Sequence, residues 1–179
     1  MQTFCLQLCK DYGVRETFPM RTAIEPPDDW ERFFTASAQS ASKSAFDLLR
    51  TGPRQRTDRK ERILKDGRST DIYGAVLTAI AATGPLTELA YPDLRTSIRD
   101  VVQGEPPQRH EVTRVLEEMT KIAREKMEGE PVVDYDEELE TLHISDPFFA
   151  YFLRWGMPGA EISSAGTPSA SARRASPAD

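Results

Sequence analysis

Histidine, cysteine and clustered charge are the places where this chain could do chemistry. Its two histidines, His110 and His143, are the natural general bases, yet neither has a serine, cysteine or acid at the spacing of a nucleophile–base pair. His143 stands between Leu142 and Ile144 in an alternating segment, so it points out where they point in. His110 sits beside Arg109 at the start of a helical pattern, and both histidines read as solvated surface. Cys5 and Cys9 lie one helical turn apart and could supply half a metal site. No second pair and no nearby histidine completes it, and the burial preference of free cysteine predicts two small core residues instead. The acids Asp134, Asp136, Glu137, Glu138 and Glu140 lack the Asp-x-Asp-x-Asp-Gly spacing and terminal glutamate of a calcium loop. They read as a solvated hairpin tip. The expectation is a chain with no catalytic residues, no cofactor and no metal, and hence not an enzyme.

Phosphate contact is the remaining chemistry, and two segments bear on it. Gln108, Arg109, Thr113 and Arg114 open a helical pattern from which they could reach base edges. From Gln108 to Glu128, however, five basic residues (Arg109, Arg114, Lys121, Arg124, Lys126) meet five acidic ones (Glu111, Glu117, Glu118, Glu125, Glu128), so the neighbours cancel the field. The stretch from Arg50 to Arg68 holds eight basic residues against three acidic ones. Arg54, Arg56, Arg59 and Lys60 are its candidate phosphate contacts. It has no aromatic residue for base stacking, and it reads equally as a solvated linker or a charged exposed helix.

The elements that must carry these residues are mostly helical. Residues 3–12 form a short pattern ended by Gly13. Asp28-Asp29-Trp30-Glu31 resembles a capping box with aspartate as the cap. The recurrence of Trp30, Phe33, Phe34, Ser37, Ala38, Ala41, Ala45, Leu48 and Leu49 then predicts one helix to about Arg50, stopped by Thr51-Gly52-Pro53. Asp71 begins a second unit whose first helix ends at Gly84-Pro85. A second helix spans Tyr91 to Val102. A third, Arg109 to Met127, carries Val112, Val115, Leu116, Met119, Ile122 and Ala123 on one face. Val133 and Tyr135, then Leu142 and Ile144, alternate with polar neighbours as a hairpin with one buried face. Asp146 caps a final helix with Pro147 at its first position. Phe148, Phe149, Phe152, Leu153 and Trp155 make that helix apolar nearly all round, so it must be buried or bind a partner.

With 179 residues, 39% of them apolar, the chain can build one ordinary domain with a smaller helical annex. Its mean hydropathy is −0.52 and its net charge −6, a balance that disfavours bulk attraction to nucleic acid or anionic membrane. No apolar run reaches the roughly 18–20 residues of a membrane span, and Met1–Lys10 lacks the basic start and cleavage site of a signal peptide. A cytoplasmic protein without membrane contact is expected. From residue 157 the Ser, Ala, Gly and Pro composition predicts a disordered tail to 179.

Two short motifs carry a family likeness. Asp71-Ile72-Tyr73-Gly74-Ala75-Val76-Leu77 opens the second unit, and Leu142-His143-Ile144-Ser145-Asp146-Pro147-Phe148-Phe149 resembles the segment that ends the wing of a winged helix. Three helices, a hairpin and a closing helix resemble the winged-helix module at the end of prokaryotic P-loop ATPases of the AAA and STAND type. Phe4-Cys5-Leu6-Gln7-Leu8-Cys9 is similar to the start of their helical lid. The resemblance implies a mainly α fold: a lid-like segment at 1–50, a basic linker at 51–70 and a winged-helix domain at 71–156. The G-x-x-x-x-G-K-[ST] phosphate loop is absent from the sequence, and the likeness implies that such a core would precede Met1. The role so implied is non-catalytic contact with a protein partner or a missing ATPase domain. A wing with five carboxylates would be repelled by phosphate. The competing expectation is a DNA-binding regulator using Arg54, Arg56, Arg59, Lys60, Arg109 and Arg114.

Overall fold

A computed structural model describes residues 2–21, 23–38, 42–53, 60–127 and 129–157. The tail expected to be disordered lies, beyond Met157, outside the described residues. In chain order the elements are α1 (Gln2–Asp11), α2 (Trp30–Ala38), α3 (Lys43–Thr51), β1 (Arg62–Ile63), β2 (Ser69–Thr70), α4 (Ile72–Ala82), β3 (Glu88–Ala90), α5 (Tyr91–Val101), α6 (Arg109–Lys126), β4 (Val133–Asp136), β5 (Thr141–Ile144) and α7 (Pro147–Trp155). The described chain is mainly helical, with a two-stranded and a three-stranded antiparallel sheet. Among the described residues no helix is long and apolar enough to cross a membrane.

Helix α4 is the centre, and its sequence says why. Ile72-Tyr73-Gly74-Ala75-Val76-Leu77 offers almost no polar face, and a helix apolar all round belongs inside. Tyr73 to Leu77, Ala79 and Ile80 are buried. The Asp71 carboxylate starts the helix by accepting the Gly74 N–H at 3.0 Å. The close approach of β2 favours glycine at position 74, since a Cβ there would overlap Thr70 Oγ1. Helix α6 lays Val112, Val115, Leu116, Met119, Ile122 and Ala123 on the same core.

The three-stranded sheet has the order β3-β5-β4. Tyr135 faces Leu142 and Val133 faces Ile144 across the hairpin, all four buried, while His143 and Asp134 share the outer face. That alternation is the one expected from the sequence. Strand β3 was not legible: it is three residues long with Leu89 alone inward, too short for a period of two to register. Thr120 Oγ1 of α6 accepts the Tyr135 N–H at 2.8 Å and satisfies the outer edge of β4 at that point.

Helix α7 joins the two ends of the chain. Phe149, Phe152 and Leu153 are buried against α3, α4 and β5, and the Phe152 ring lies 5.1 Å from that of Phe46. Its other side meets α2. The Phe34 ring stands 5.0 Å from Trp155 and 6.4 Å from Tyr151, and the Tyr151 hydroxyl donates to the Phe34 carbonyl at 3.0 Å. Phe4 of α1 adds a third edge at 5.4 Å from Tyr151. The burial expected of this helix is found at Phe149, Phe152 and Leu153, while Trp155 is half-buried and Phe148 stays 52% exposed.

Four expectations change. The cap of α2 is Asp29, whose carboxylate accepts the Arg32 N–H at 2.9 Å, so Glu31 falls one place short of closing a capping box with it. The single helix expected from Trp30 to Arg50 is two elements, α2 and α3, with residues 39–41 outside the described set. The described end of the basic segment is a hairpin in which Leu64 is buried and bridged to Val102, where a solvated linker or an exposed helix was expected. Gly67 makes its turn at φ 85°. Cys5 is exposed and Cys9 half-buried, because α1 packs through Phe4 and the cysteines lie round the helix from it.

Two substitutions test this packing. Gly74→Ala should destabilise the fold by about 1–3 kcal/mol through overlap with Thr70. In a Thr70→Ala background the same change should become neutral or stabilising by up to about 1 kcal/mol, from helix propensity alone; urea denaturation reads both. Burial pushes the Tyr151 hydroxyl above its ordinary value of 10.0, with a bond to Ser37 opposing. The unfolded chain therefore loses this proton first, and stability should fall as pH rises above about 10. Tyr151→Phe should cost about 0.5–1.5 kcal/mol at neutral pH and flatten that alkaline decline.

Candidate nucleic-acid and protein interface

The exposed side of α6 carries two of the sequence's candidate residues, Arg109 and Arg114, with the β4–β5 hairpin packed against the helix. Arg109 is the first residue of α6. Its guanidinium pairs with the Glu140 carboxylate and lies 5.1 Å from the centre of the Tyr91 ring. Tyr91, which opens α5, is 4% exposed, and its hydroxyl is buried without a hydrogen-bond partner among the described residues. Farther along α6, Arg124 pairs with Asp134 of β4 at 2.6 Å. On the opposite flank Glu111 receives Arg62 of β1 at 3.3 Å while accepting the Gln108 N–H at 2.7 Å. Three of the charged side chains of α6 are thus tied to its own surroundings. Arg114 and Lys121 are exposed and in no ion pair among the described residues, with Glu117 and Glu125 exposed on the same helix.

The hairpin tip is built on its acids. The Asp136 carboxylate accepts the N–H groups of Glu138 and Leu139, both at 2.9 Å, which closes the turn. Glu137 and Glu138 face solvent, and Leu139 between the acids is 69% exposed. Glu140 leaves the turn with φ 49°, a left-handed backbone more usual for glycine or asparagine. Inside the hairpin, burial pushes the Tyr135 hydroxyl upward, and the Glu140 charge adds to the shift while Arg109 opposes it. On the outer face of the sheet Glu88, His143 and Asp134 share one register, with His143 Nδ1 3.9 Å from Glu88. No group of three or more histidine, cysteine or acidic residues able to hold a metal occurs among the described residues.

Of the six candidate phosphate contacts, Arg54, Arg56 and Arg59 lie outside the described residues. Lys60 is exposed two residues before β1. Because Arg62 reaches Glu111, the structure brings this end of the basic segment alongside the first turn of α6. Arg114 stands free on the outer face, and Arg109 is engaged by Glu140. Sequence reasoning missed Arg62, Tyr91 and Glu140. Arg62 was submerged in a charge run, and a glutamate gives no signal that its backbone will be left-handed. Arg114, Lys121 and Lys126 of α6 are exposed and in no ion pair among the described residues, but Glu117, Glu118 and Glu125 share the helix and the hairpin turn is acidic, a mixed surface without the cationic surplus that phosphate binding needs.

No family model, curated protein or solved structure matches the chain.

Glu111 holds both the start of α6 and the β1–β2 hairpin. Glu111→Ala should lower stability by about 1–2 kcal/mol, losing a capping bond and the partner of a half-buried guanidinium. Glu111→Gln, which can still reach the Gln108 N–H, should lose less. Chemical denaturation of the three proteins measures the difference.

Proposed function

We propose that residues 71–156 are a winged-helix module and that the chain is a non-catalytic, ATPase-like lid and winged helix that mediates interdomain or protein–protein contact. The winged-helix reading is supported by the element order α4, β3, α5, α6, β4, β5, with β5 lying between β3 and β4. In this reading α6 is the third helix and Glu137–Glu140 the tip of the wing. The ATPase-like origin rests on the likeness of residues 4–9, 71–77 and 142–149 alone.

The observation that carries the contact role is the charge of the surface that would meet DNA. A recognition helix meets phosphates with a cationic surplus, and its wing usually does the same. Here Arg109 and Arg124 are paired with acids, Arg114 and Lys121 are balanced by Glu117 and Glu125, and the wing tip is acidic. An exposed Leu139 among carboxylates suits a protein surface better than a phosphate backbone. The DNA-regulator reading has Arg114, Lys121 and Lys60 in its favour, since each is exposed and outside any ion pair among the described residues.

A photo-crosslinking residue at Leu139, introduced in cells, separates the two. Contact with protein gives discrete protein adducts that charge reversal of the neighbouring exposed Glu137 and Glu138 to lysine weakens. Predominant nucleic-acid adducts would sink the proposal. The purified chain should show only weak, sequence-independent DNA binding in mobility-shift titrations at two salt concentrations, and no nucleotide hydrolysis.

A further inference from the structure

Two residues at the mouth of α6 each sit where local chemistry disfavours them. Arg109 begins an 18-residue helix, at the end where aligned peptide dipoles leave positive charge and a cation is unfavourable. Glu140 has φ 49°, a left-handed conformation that is unfavourable for a residue with a Cβ. Their contact with each other offsets both. The Glu140 carboxylate binds the Arg109 guanidinium and brings negative charge to the start of the helix. The guanidinium in turn covers the buried ring of Tyr91. The backbone repeats the tie, since the Tyr91 N–H donates to the Glu140 carbonyl at 2.8 Å.

We propose that Glu140 is an internal ligand of Arg109, its carboxylate occupying the place a phosphate of duplex DNA would otherwise take. The leading cation of α6 is thereby withheld from polyanions. The pair is open enough for exchange, with 55% of the Arg109 side chain and 43% of the Glu140 side chain exposed. Removing the carboxylate leaves Arg109 available on the helix that also carries the exposed Arg114 and Lys121. The other hairpin acids do not have this role: Asp134 is held by Arg124, Asp136 closes the turn, and Glu137 and Glu138 face water.

The full chain titrated with a short mixed-sequence DNA duplex at several salt concentrations, read by fluorescence anisotropy, tests this. Glu140→Gln should bind about five- to tenfold more tightly than the unchanged chain at low salt. Its slope of log affinity against log salt should be steeper by about one unit, the signature of one added phosphate contact. Glu140→Gly also relieves the left-handed backbone; it should show the same gain and unfold at no lower urea, so misfolding of one variant cannot hide the effect. Glu138→Gln removes a charge from the same turn without releasing Arg109, and should bind like the unchanged chain. Arg109→Ala added to Glu140→Gln should abolish the gain. An equal gain from Glu138→Gln, a gain that survives Arg109→Ala, or no gain from either Glu140 variant overturns the proposal.

Discussion

A nine-residue helix with one charged side chain cannot be left facing water, and the rest of this structure is arranged around that constraint. Helix α7 carries five aromatic residues and a leucine between Pro147 and Trp155. A single neighbour covers only one stripe of a helix, and the remaining aromatic surface, at about 25 cal/mol per Å² of apolar area, favours a second partner. The inner stripe, Phe149, Phe152 and Leu153, goes to α3, α4 and β5, and the outer one, Tyr151 and Trp155, goes to α2 and Phe4 of α1. The amino-terminal helices are therefore held by the carboxy-terminal one. Gly156 shows how tightly α7 ends, since a Cβ there would meet the Phe152 ring at 2.6 Å. The same burial joins α3 to the body of the chain: Phe46 and Leu49 belong to the one buried cluster that runs from Leu64 to Met157.

The charges follow a different logic from the core. On the core side, burial decides position. On the outer side of α6, cations and anions are spent on one another, and each pair ties a different element to the helix: Arg62–Glu111 the β1–β2 hairpin, Arg124–Asp134 the strand β4, and Arg109–Glu140 the hairpin tip. The two more exposed pairs, Arg124–Asp134 and Arg109–Glu140, contribute little to stability, about 0–1 kcal/mol each. Their larger consequence is for recognition, because a guanidinium already facing a carboxylate offers little field to a distant phosphate. The proposed contact role and the proposed masking of Arg109 both grow from that cancellation.

Much of this was legible in the residues. The caps Asp71 and Asp146, the proline at the first position of α7, the inward stripe of α6 and the alternation of the β4–β5 hairpin are local patterns, and local patterns survive folding when nothing competes with them. What was missed had no local signal. Strand β3 is defined by its partner β5 and not by its own three residues. The hairpin at 62–70 is fixed by Leu64 entering a core that the charge run around it does not advertise. Cys5 and Cys9 stayed near the surface because Phe4, a larger apolar group on the same helix, took the packing face. Asp29 displaced Asp28 as the cap of α2, a difference of one residue that composition cannot resolve.

The candidate site divides in the same way. The sequence by itself determined that α6 would be charge-balanced, that the hairpin tip would be acidic and that the last helix would need cover, because these depend on residue type and period alone. Only the tertiary structure decided which charges meet. Arg109 and Glu140 are 31 residues apart and Arg62 and Glu111 49 apart, so no window of sequence contains either pair. Coulomb attraction between side chains acts through space over a few ångströms, and which groups come that close is set by how α4, α6 and α7 pack.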